Sequence, residues 1–209
     1  AHELRNPLGT IRASAEMLSQ NVPTEHGTAR ELIGFISGEV DRINSLVTRF
    51  LDFARPLELR PVEAELSEVI DRAVAQLERA SPRYDLTVYK AYSPDVRRFA
   101  FDAELIERAI YNLLLNAAQA TPPGGAVTVK TRPVDGGVEI AVIDRGAGIA
   151  PEHREDIFNP FFTTKPDGVG LGLAIVSKIV DLHGGKMSVE SEPGTGSVFR
   201  VYLPTERPA

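Results

Sequence analysis

The segment HELRNPL at residues 2–8 places a histidine among residues that could support nucleophilic chemistry. On a helix, His2 lies about 200° around the axis from the apolar residue Leu4, so it faces away from the buried side. Asn6 follows four residues later on the same outer face. A neutral imidazole is a competent nucleophile, and Glu3 beside it can accept its proton. The segment indicates a reactive histidine, with a solvated surface histidine as the alternative.

A polar stripe runs along a second predicted helix, opposite its apolar face. Its members are spaced four, four and three residues apart: Arg108, Asn112, Asn116 and Gln119. Asparagine is a mediocre helix former, so two on one face suggest a need for oxygen ligands. Amide oxygens suit Mg²⁺, which often accompanies phosphates. An ordinary exposed polar stripe is the alternative.

The sequence has two glycine-rich loops, one directly after a predicted strand and one at the start of a predicted helix. Asp144 ends a strand and is followed by Gly146 and Gly148. Its carboxylate could accept a hydrogen bond from an exocyclic amine, and the glycines would let the backbone approach a flat ligand. The loop Gly168–Leu173 opens a helix, where free backbone N–H groups favour anions. A plain turn is the alternative for the first loop.

The aromatic segment Phe158–Lys165 lies between these two loops. Its phenylalanines, Phe161 among them, predict a lid that closes by burying rings. Lys165 could reach a phosphate. The alternative is a loop that the phenylalanines pin to the core. The second glycine loop matches neither a dinucleotide fingerprint nor a Walker A loop, because its final glycine is misplaced and no Gly-Lys-Ser/Thr occurs.

The elements that must position these residues fall into two parts. Residues 1–54 predict two helices with apolar residues alternating four and three apart, which is a heptad seam. A short helix-breaking link at residues 23–28 predicts an antiparallel hairpin. Because two helices cannot bury two seams well, we expect a homodimer that forms a four-helix bundle. The alternative is that the helices pack against the rest of the same chain.

The second part begins after a proline-containing linker. We expect a domain at residues 1–56, a linker at 57–61 and a second domain at 62–209. Helical patterns appear near 66–80, 102–120, 151–158 and 170–183. Strand patterns appear near 85–91, 96–101, 126–132, 138–144, 186–192 and 197–203. The fold class predicted is α+β, a helical hairpin followed by an α/β sandwich with helices on one face of a mixed sheet.

Composition narrows the function classes. The 209 residues carry a net charge of −6, which does not favour a nucleic-acid surface. The sequence has no cysteine, so disulfides and zinc-thiolate sites are excluded. No apolar run approaches the roughly 20 residues that span a bilayer. We expect a cytoplasmic fragment whose missing N-terminal part could hold a sensor domain or a membrane anchor.

Together these motifs resemble those of the sensor histidine kinases of two-component systems, closest to the nitrogen-regulation type. HELRNPL resembles the H box, NLLLN at 112–116 the N box and DRGAGI at 144–149 the G1 box. FNPFFTTK at 158–165 resembles the F box, GVGLGL at 168–173 the G2 box and GTGSVF at 194–199 the last glycine motif. The order is the family's order and covers nearly the whole chain.

The resemblance implies a phosphotransfer hairpin followed by an ATP-binding domain of the Bergerat fold, shared with Hsp90 and MutL. It implies autophosphorylation of His2, with Glu3 as general base and Asn6 positioning water in a reverse phosphatase reaction, and transfer to an aspartate of a response regulator. Asn116 matches the Mg²⁺ ligand, with Asn112 in support, and Asp144 matches the adenine-binding carboxylate. The remaining implied ATP contacts are Gly146, Gly148, Phe161, Lys165, Gly168, Gly170, Gly172, Leu173 and Ser197.

The sequence departs from the family pattern at a few positions, and other functions are possible for the same ATP-binding fold. Val169 replaces a common threonine, and Ala120 stands where some members carry an aromatic near adenine. An Hsp90- or MutL-type ATPase would need a glutamate where this chain has Asn112, and asparagine cannot act as that base. A dimeric ATP-sensing scaffold and a serine kinase with the same ATP fold are further rivals, but the latter would leave HELRN unexplained.

Overall fold

The computed structural model describes residues 2–21, 27–79, 84–165 and 168–205, with the backbone alone at residues 2–7, 21, 27, 45, 49 and 52. The chain forms two compact units, Ala1–Pro56 and Leu57–Ala209. The first contains two helices and the second a mixed sheet with helices. The predicted fold class is confirmed.

The first unit consists of the helices α1, His2–Asn21, and α2, Gly27–Ala54. Helix α1 is about 30 Å long at 1.5 Å per residue. The five intervening residues reach only about 20 Å. Because the two helices also pack against each other, they run antiparallel. Arg12 bonds Glu16 within α1 and Asp41 on α2, both at 3.0 Å.

The heptad seam is only partly covered within one chain. Ala15, Ile33 and Val40 are buried between the two helices. Other seam positions stay exposed: Ile11, Leu18, Ile36, Ile43 and Phe50. Because exposed apolar side chains of this size cost hydrophobic free energy, the hairpin alone leaves a substantial part of its apolar surface in water.

The second unit is a five-stranded sheet in the order β2-β4-β5-β7-β6, in which only β2 and β4 pair in parallel. Its strands are β2 (Leu86–Tyr92), β4 (Gly125–Val134), β5 (Gly137–Asp144), β6 (Lys186–Glu192) and β7 (Gly196–Pro204). Its helices are α3 (Leu66–Arg79), α4 (Ala103–Ala120) and α5 (Gly172–Leu182).

Two features differ from the sequence-based expectation. A short strand β1, Val62–Ala64, pairs antiparallel with β3, Phe99–Phe101. Three residues are too few to show a periodic pattern, so β1 was not predicted. The expected helix at 151–158 is two 3₁₀ turns, Pro151–His153 and Asp156–Phe158. Only Ile157 is buried there, so this stretch lacks the apolar stripe that would hold an α-helix.

Helix α4 is the element that most directly positions the site. Its apolar face is fully buried through Ile106, Ile110, Leu113 and Leu114. Each fully buried side chain of this type contributes roughly 1.5–3 kcal/mol. The polar stripe is consequently fixed on the opposite side of the helix.

The N-terminus of α4 is tied to the preceding segment by Asp102, which is only 7% exposed. Its Oδ1 accepts a hydrogen bond from the Leu105 N–H at 3.0 Å, which caps the helix. Its Oδ2 accepts from the Arg60 N–H at 2.8 Å, and its own N–H donates to His183 Nε2 at 3.1 Å. One buried carboxylate thus fastens residue 60 to α4.

Candidate functional site

The two asparagines of α4 face the start of α5. Asn112 donates from Nδ2 to the Arg108 carbonyl at 2.8 Å, and its Oδ1 lies near Gly172 at the start of α5. A Cβ placed on Gly172 would lie 3.6 Å from Asn112 Oδ1 and 3.7 Å from Asn116 Nδ2. Among the described residues, the Asn116 amide makes no hydrogen bond. The structure therefore brings the predicted N-box and G2-box residues together, with one amide free for a ligand.

The N-terminus of α5 offers backbone donors at this place. The helix begins at Gly172, and the preceding residue, Leu171, has no polar side chain with which to cap it. The first N–H groups of a helix lack intrahelical partners, and the helix dipole adds positive potential there. Leu171 is buried, which anchors this end of the helix. The juxtaposition of free N–H groups and amide oxygens suits an anion with its metal counter-ion.

Asp144 lies at the end of β5 and is only 4% exposed. Its Oδ1 accepts hydrogen bonds from the Gly146 N–H at 2.8 Å and the Ser197 N–H at 3.2 Å. Burial raises the pKa of Asp144, while these two bonds and the charge of Lys165 oppose the rise. With Oδ1 engaged twice, Oδ2 is the oxygen suited to a ligand donor.

The loop after Asp144 requires its glycines. A Cβ on Gly146 would overlap the Ala120 carbonyl at the end of α4. Gly148 has φ of +68°, and a Cβ there would overlap the Glu192 carbonyl. Ala147 between them donates to the Ala120 carbonyl at 3.2 Å and accepts from the Gly194 N–H at 2.7 Å. The loop is held closely between α4 and the β6–β7 turn.

The aromatic segment is fastened to the second glycine loop through its backbone. The Phe161 N–H donates to the Gly170 carbonyl at 2.9 Å, and both residues have positive φ. Phe161 is 57% exposed. Phe162 instead packs beside His153, with ring centroids 5.3 Å apart.

Lys165 reaches from this segment to α4. Its Nζ donates to Gln119 Oε1 at 2.6 Å, and its backbone N–H donates to Thr163 Oγ1 at 3.1 Å. The residue as a whole is exposed, but its ammonium is partly removed from water. This desolvation lowers the pKa of Lys165, and the charge of Asp144 acts in the opposite direction. Gly168 closes the turn by donating to the Lys165 carbonyl at 3.1 Å.

Ser191 is a site residue that sequence reasoning missed. It is 8% exposed and lies opposite Ser197 in the β6–β7 register. Its Oγ accepts from the Ile149 N–H at 2.8 Å, donates to the Gly196 carbonyl at 2.9 Å and lies 2.9 Å from Ser197 Oγ. It joins the G1 loop to the last glycine motif. A polar residue at a buried strand position was the signal in the sequence.

The three residues predicted in the first helix are placed only in part. His2, Glu3 and Asn6 lie within α1, as expected, but their side chains fall outside the described part of the chain.

Two family models match the chain. Residues 101–207 match the family described as histidine kinase-, DNA gyrase B- and HSP90-like ATPase, and residues 1–59 match the His kinase A (phospho-acceptor) domain. The first match lies within the sheet unit and begins at the end of β3, and the second covers the helical hairpin and the first three residues of the sheet unit. The chain belongs to the sensor histidine kinases and carries their phospho-acceptor and ATPase domains.

Curated relatives support the same family. The sensor histidine kinase ZraS of Klebsiella oxytoca is 37% identical over 205 residues, which is 98% of this chain and 44% of the relative. The sensory histidine kinase/phosphatase NtrB of Rhodobacter capsulatus is 36% identical and is matched over 98% of this chain and 60% of its own length. The chain thus spans about half the length of such relatives.

Solved structures match both units. Full-length ShkA in complex with AMPPNP superposes with a TM-score of 0.77 at 28% identity, covering 100% of this chain and 45% of that one. Histidine kinase ThkA in complex with the response regulator TrrA gives a TM-score of 0.73 at 28% identity, covering 98% of this chain and 59% of that one.

The described part of the chain contains no helix both long and apolar enough to cross a bilayer.

Proposed function

We propose that this chain binds ATP in its sheet unit, transfers the γ-phosphoryl group to His2 and passes it to an aspartate of a response regulator. The proposal depends mainly on three features that occur in the same unit. They are the Asn112–Asn116 pair, the N-terminus of α5 with its free N–H groups, and the buried carboxylate of Asp144. ShkA, which shares the fold, was solved with an ATP analogue.

The base end of ATP is assigned to Asp144 and its neighbours. Asp144 Oδ2 accepts a hydrogen bond from the exocyclic amine of adenine, while Oδ1 stays fixed by backbone N–H groups. Ser197 supports this carboxylate from β7. Gly146 and Gly148 permit the close approach of the loop to a flat ring.

The phosphate end is assigned to the start of α5. The phosphates of ATP would accept hydrogen bonds from the backbone N–H groups of Gly172 and Leu173. The loop at Gly168 and Gly170 lies before these residues, and Lys165 adds a positive charge.

The residues present fit Mg²⁺. The Asn116 amide, with its hard oxygen, makes no hydrogen bond within the described segments and lies beside the start of α5. When bound, the ion would supply neutralisation of phosphate charge. Asn112 supports Asn116 from the preceding turn.

The acceptor is assigned to the helical hairpin. A nitrogen of His2 attacks the γ-phosphorus, the bond from phosphorus to the bridging oxygen breaks, and ADP leaves. Glu3 takes the imidazole proton. In the reverse role, Asn6 orients water for phosphatase action, a role that accords with the name of the NtrB relatives. Asn112 cannot act as a base for water, which disfavours direct ATP hydrolysis.

The proposed partners follow from the same division. Residues 1–56 form the dimerisation and phosphotransfer domain, residues 57–61 the linker and residues 62–209 the ATP-binding domain. The exposed half of the seam supports a homodimer. A receiver domain is the proposed acceptor of the phosphoryl group, and ThkA, which shares the fold, was solved in complex with the response regulator TrrA. We also propose a sensor domain upstream of this segment; the relatives extend well beyond the matched region. The reaction itself favours a cytoplasmic location, where ATP is available.

The test is incubation of the chain with Mg²⁺ and γ-labelled ATP. We expect the protein to become labelled, with a label that is lost in acid and retained in alkali, as a phosphoramidate should be. Release of labelled phosphate to water without labelled protein would contradict the proposal and favour an Hsp90-type ATPase.

A further inference from the structure

Gln119 lies outside the residues assigned above, yet it makes the shortest described contact to Lys165. It follows Asn116 by three residues and therefore continues the polar stripe of α4. The Lys165 ammonium donates to Gln119 Oε1 at 2.6 Å. The bond spans 46 positions of sequence and joins the aromatic segment to α4.

We infer that Gln119 is a positioning residue that holds the Lys165 ammonium on the polar stripe of α4, one turn after Asn116. The inference rests on the proposed ATP site. Lysine has a flexible four-carbon stem, so an ammonium without a fixed acceptor samples many positions. Gln119 selects one of them. Because an ammonium has three donors, two remain for phosphate oxygens after the bond to Gln119 is made.

A neutral acceptor suits this task better than a carboxylate. Gln119 fixes the ammonium without neutralising it, so the positive charge stays available to an anion. A glutamate at position 119 would form an ion pair with Lys165 and would also repel phosphates. The described carboxylate whose charge acts on Lys165 is Asp144, and the proposed role of Asp144 lies at the base.

The orientation of the Gln119 amide is set by a second contact. Its Nε2 lies within 3.5 Å of the Tyr84 hydroxyl, to which it donates. A flipped amide would turn its NH₂ group towards the ammonium, where two donors would face each other. Tyr84, in the segment between α3 and β2, therefore favours the orientation that accepts from Lys165.

The experiment measures dissociation constants of ADP with Mg²⁺ and of adenosine by titration calorimetry on the whole 209-residue chain. Phosphates distinguish the two ligands, so a role of Lys165 and Gln119 in phosphate binding affects ADP alone. We expect Lys165→Met to weaken ADP about tenfold and Gln119→Met about threefold, from the loss of a charge-assisted contact that is partly exposed. Gln119→Glu should weaken ADP more than Gln119→Met, because it pairs with the ammonium. Adenosine affinity should be unchanged in all three.

The decisive variant moves the charge to α4. In the double variant Gln119→Lys with Lys165→Met, the lysine stands on α4 at position 119, so its ammonium can lie near the place where Gln119 holds that of Lys165 in the wild type. We expect most of the ADP affinity to return. Lys186→Met is the matched control. Lys186 is the first residue of β6, whereas Ser191 lies near the other end of that strand. Its removal should leave both affinities unchanged.

Three results would overturn the inference. ADP affinity equal to wild type in Gln119→Met and Gln119→Glu, with Lys165→Met still weakened, would leave the proposed function standing and remove the role of Gln119. A parallel loss of adenosine affinity would mean a structural role only. Failure of the wild-type chain to bind either ligand would overturn the proposed ATP site, and the inference with it.

Discussion

At the scale of single residues, Asp144 is a proposed ligand-binding group whose burial costs free energy of folding. A carboxylate removed from water disfavours its charged form, and only part of this cost is offset by the N–H groups of Gly146 and Ser197. Both bonds go to Oδ1. Neither Oδ2 nor the negative charge of Asp144 is required for these two backbone hydrogen bonds, so both are explained by a ligand rather than by the fold.

We predict that Asp144→Asn binds ADP about tenfold or more weakly, since a hydrogen bond to a charged acceptor is lost. The asparagine oxygen keeps both backbone bonds, while its NH₂ group replaces Oδ2 and opposes the adenine amine. The variant should be at least as stable as wild type in urea denaturation, because a buried charge is removed. Unchanged ADP affinity would contradict the assignment of Asp144 to the base.

The pH dependence of this stability difference can be predicted in sign. Because burial raises the folded-state pKa of Asp144 above its usual 3.8, the ionised group costs stability above that raised pKa. As the pH falls through the raised pKa, folded Asp144 binds a proton and the cost is relieved. The advantage of Asp144→Asn over wild type should therefore shrink from pH 7 downward and vanish below 3.8. Urea midpoints of both proteins across this range check it, and a growing difference would be the wrong sign.

The site residues that sequence could predict are those whose type is unusual for their local element. Paired asparagines within a helix and glycines after a strand stand out in one dimension, and Asp144 ends a clear strand pattern. Ser191 lies at an inward-facing strand position and Gln119 on the polar stripe of α4, so the sequence shows where they are but not which residues they contact. Their importance comes from partners 42 and 46 residues away, Ile149 and Lys165, and no local pattern encodes such pairs.

At the scale of elements, long periodic segments were predictable and short ones were not. Helices α3 and α4 bury one continuous face, so their periodicity located them within a residue or two of 66–79 and 103–120. Strand β1 and the two 3₁₀ turns are three residues each and are held by tertiary contacts. The meeting of the α5 N-terminus with the α4 asparagines likewise depends on packing across the unit.

Two glycines separate the effect of backbone conformation from that of packing. Gly148 and Gly124 both have positive φ, of +68° and +77°, but only Gly148 has a backbone neighbour where a Cβ would stand. We predict that Gly124→Ala costs about 1 kcal/mol of unfolding free energy and Gly148→Ala clearly more, about 2–3 kcal/mol. Chemical denaturation measures both. Equal costs would mean that the contact of the G1 loop with Glu192 adds nothing beyond backbone strain.

At the scale of the whole molecule, the two units have different requirements. The sheet unit buries its own core, whereas the hairpin leaves half of a heptad seam in water. A bundle of four helices from two chains satisfies that seam by symmetry. Dimerisation is therefore proposed as a condition for a stable phosphotransfer domain.

We predict that Ile36→Glu converts the dimer to monomers, because Ile36 is a seam residue that is 45% exposed in one chain and a charge cannot be buried there cheaply. Sedimentation equilibrium measures the change. Glu31→Lys is the control, an exposed charge reversal away from the seam that should leave the dimer intact. A monomeric wild-type chain, or a dimeric Ile36→Glu, would contradict the bundle.

The chain has four histidines, and His2 is the one proposed as the acceptor. His183 Nε2 accepts from the Asp102 N–H, and its Nδ1 lies 2.8 Å from the Ile179 carbonyl, so both nitrogens are engaged. The His153 ring packs against Phe162. His26 lies outside the described residues. A glutamate is also adjacent in sequence to His26 and His153, so His2 is singled out by its segment HELRNPL, which resembles the H box of the family.

The most direct measurement locates the phosphoryl group after incubation with Mg²⁺ and ATP, by digestion in alkali and tandem mass spectrometry. The account predicts phosphate on the N-terminal peptide at His2, and none on the His2→Gln variant, which should still bind ADP like wild type. Phosphate on another residue, or labelling of His2→Gln at the wild-type level, would contradict the account.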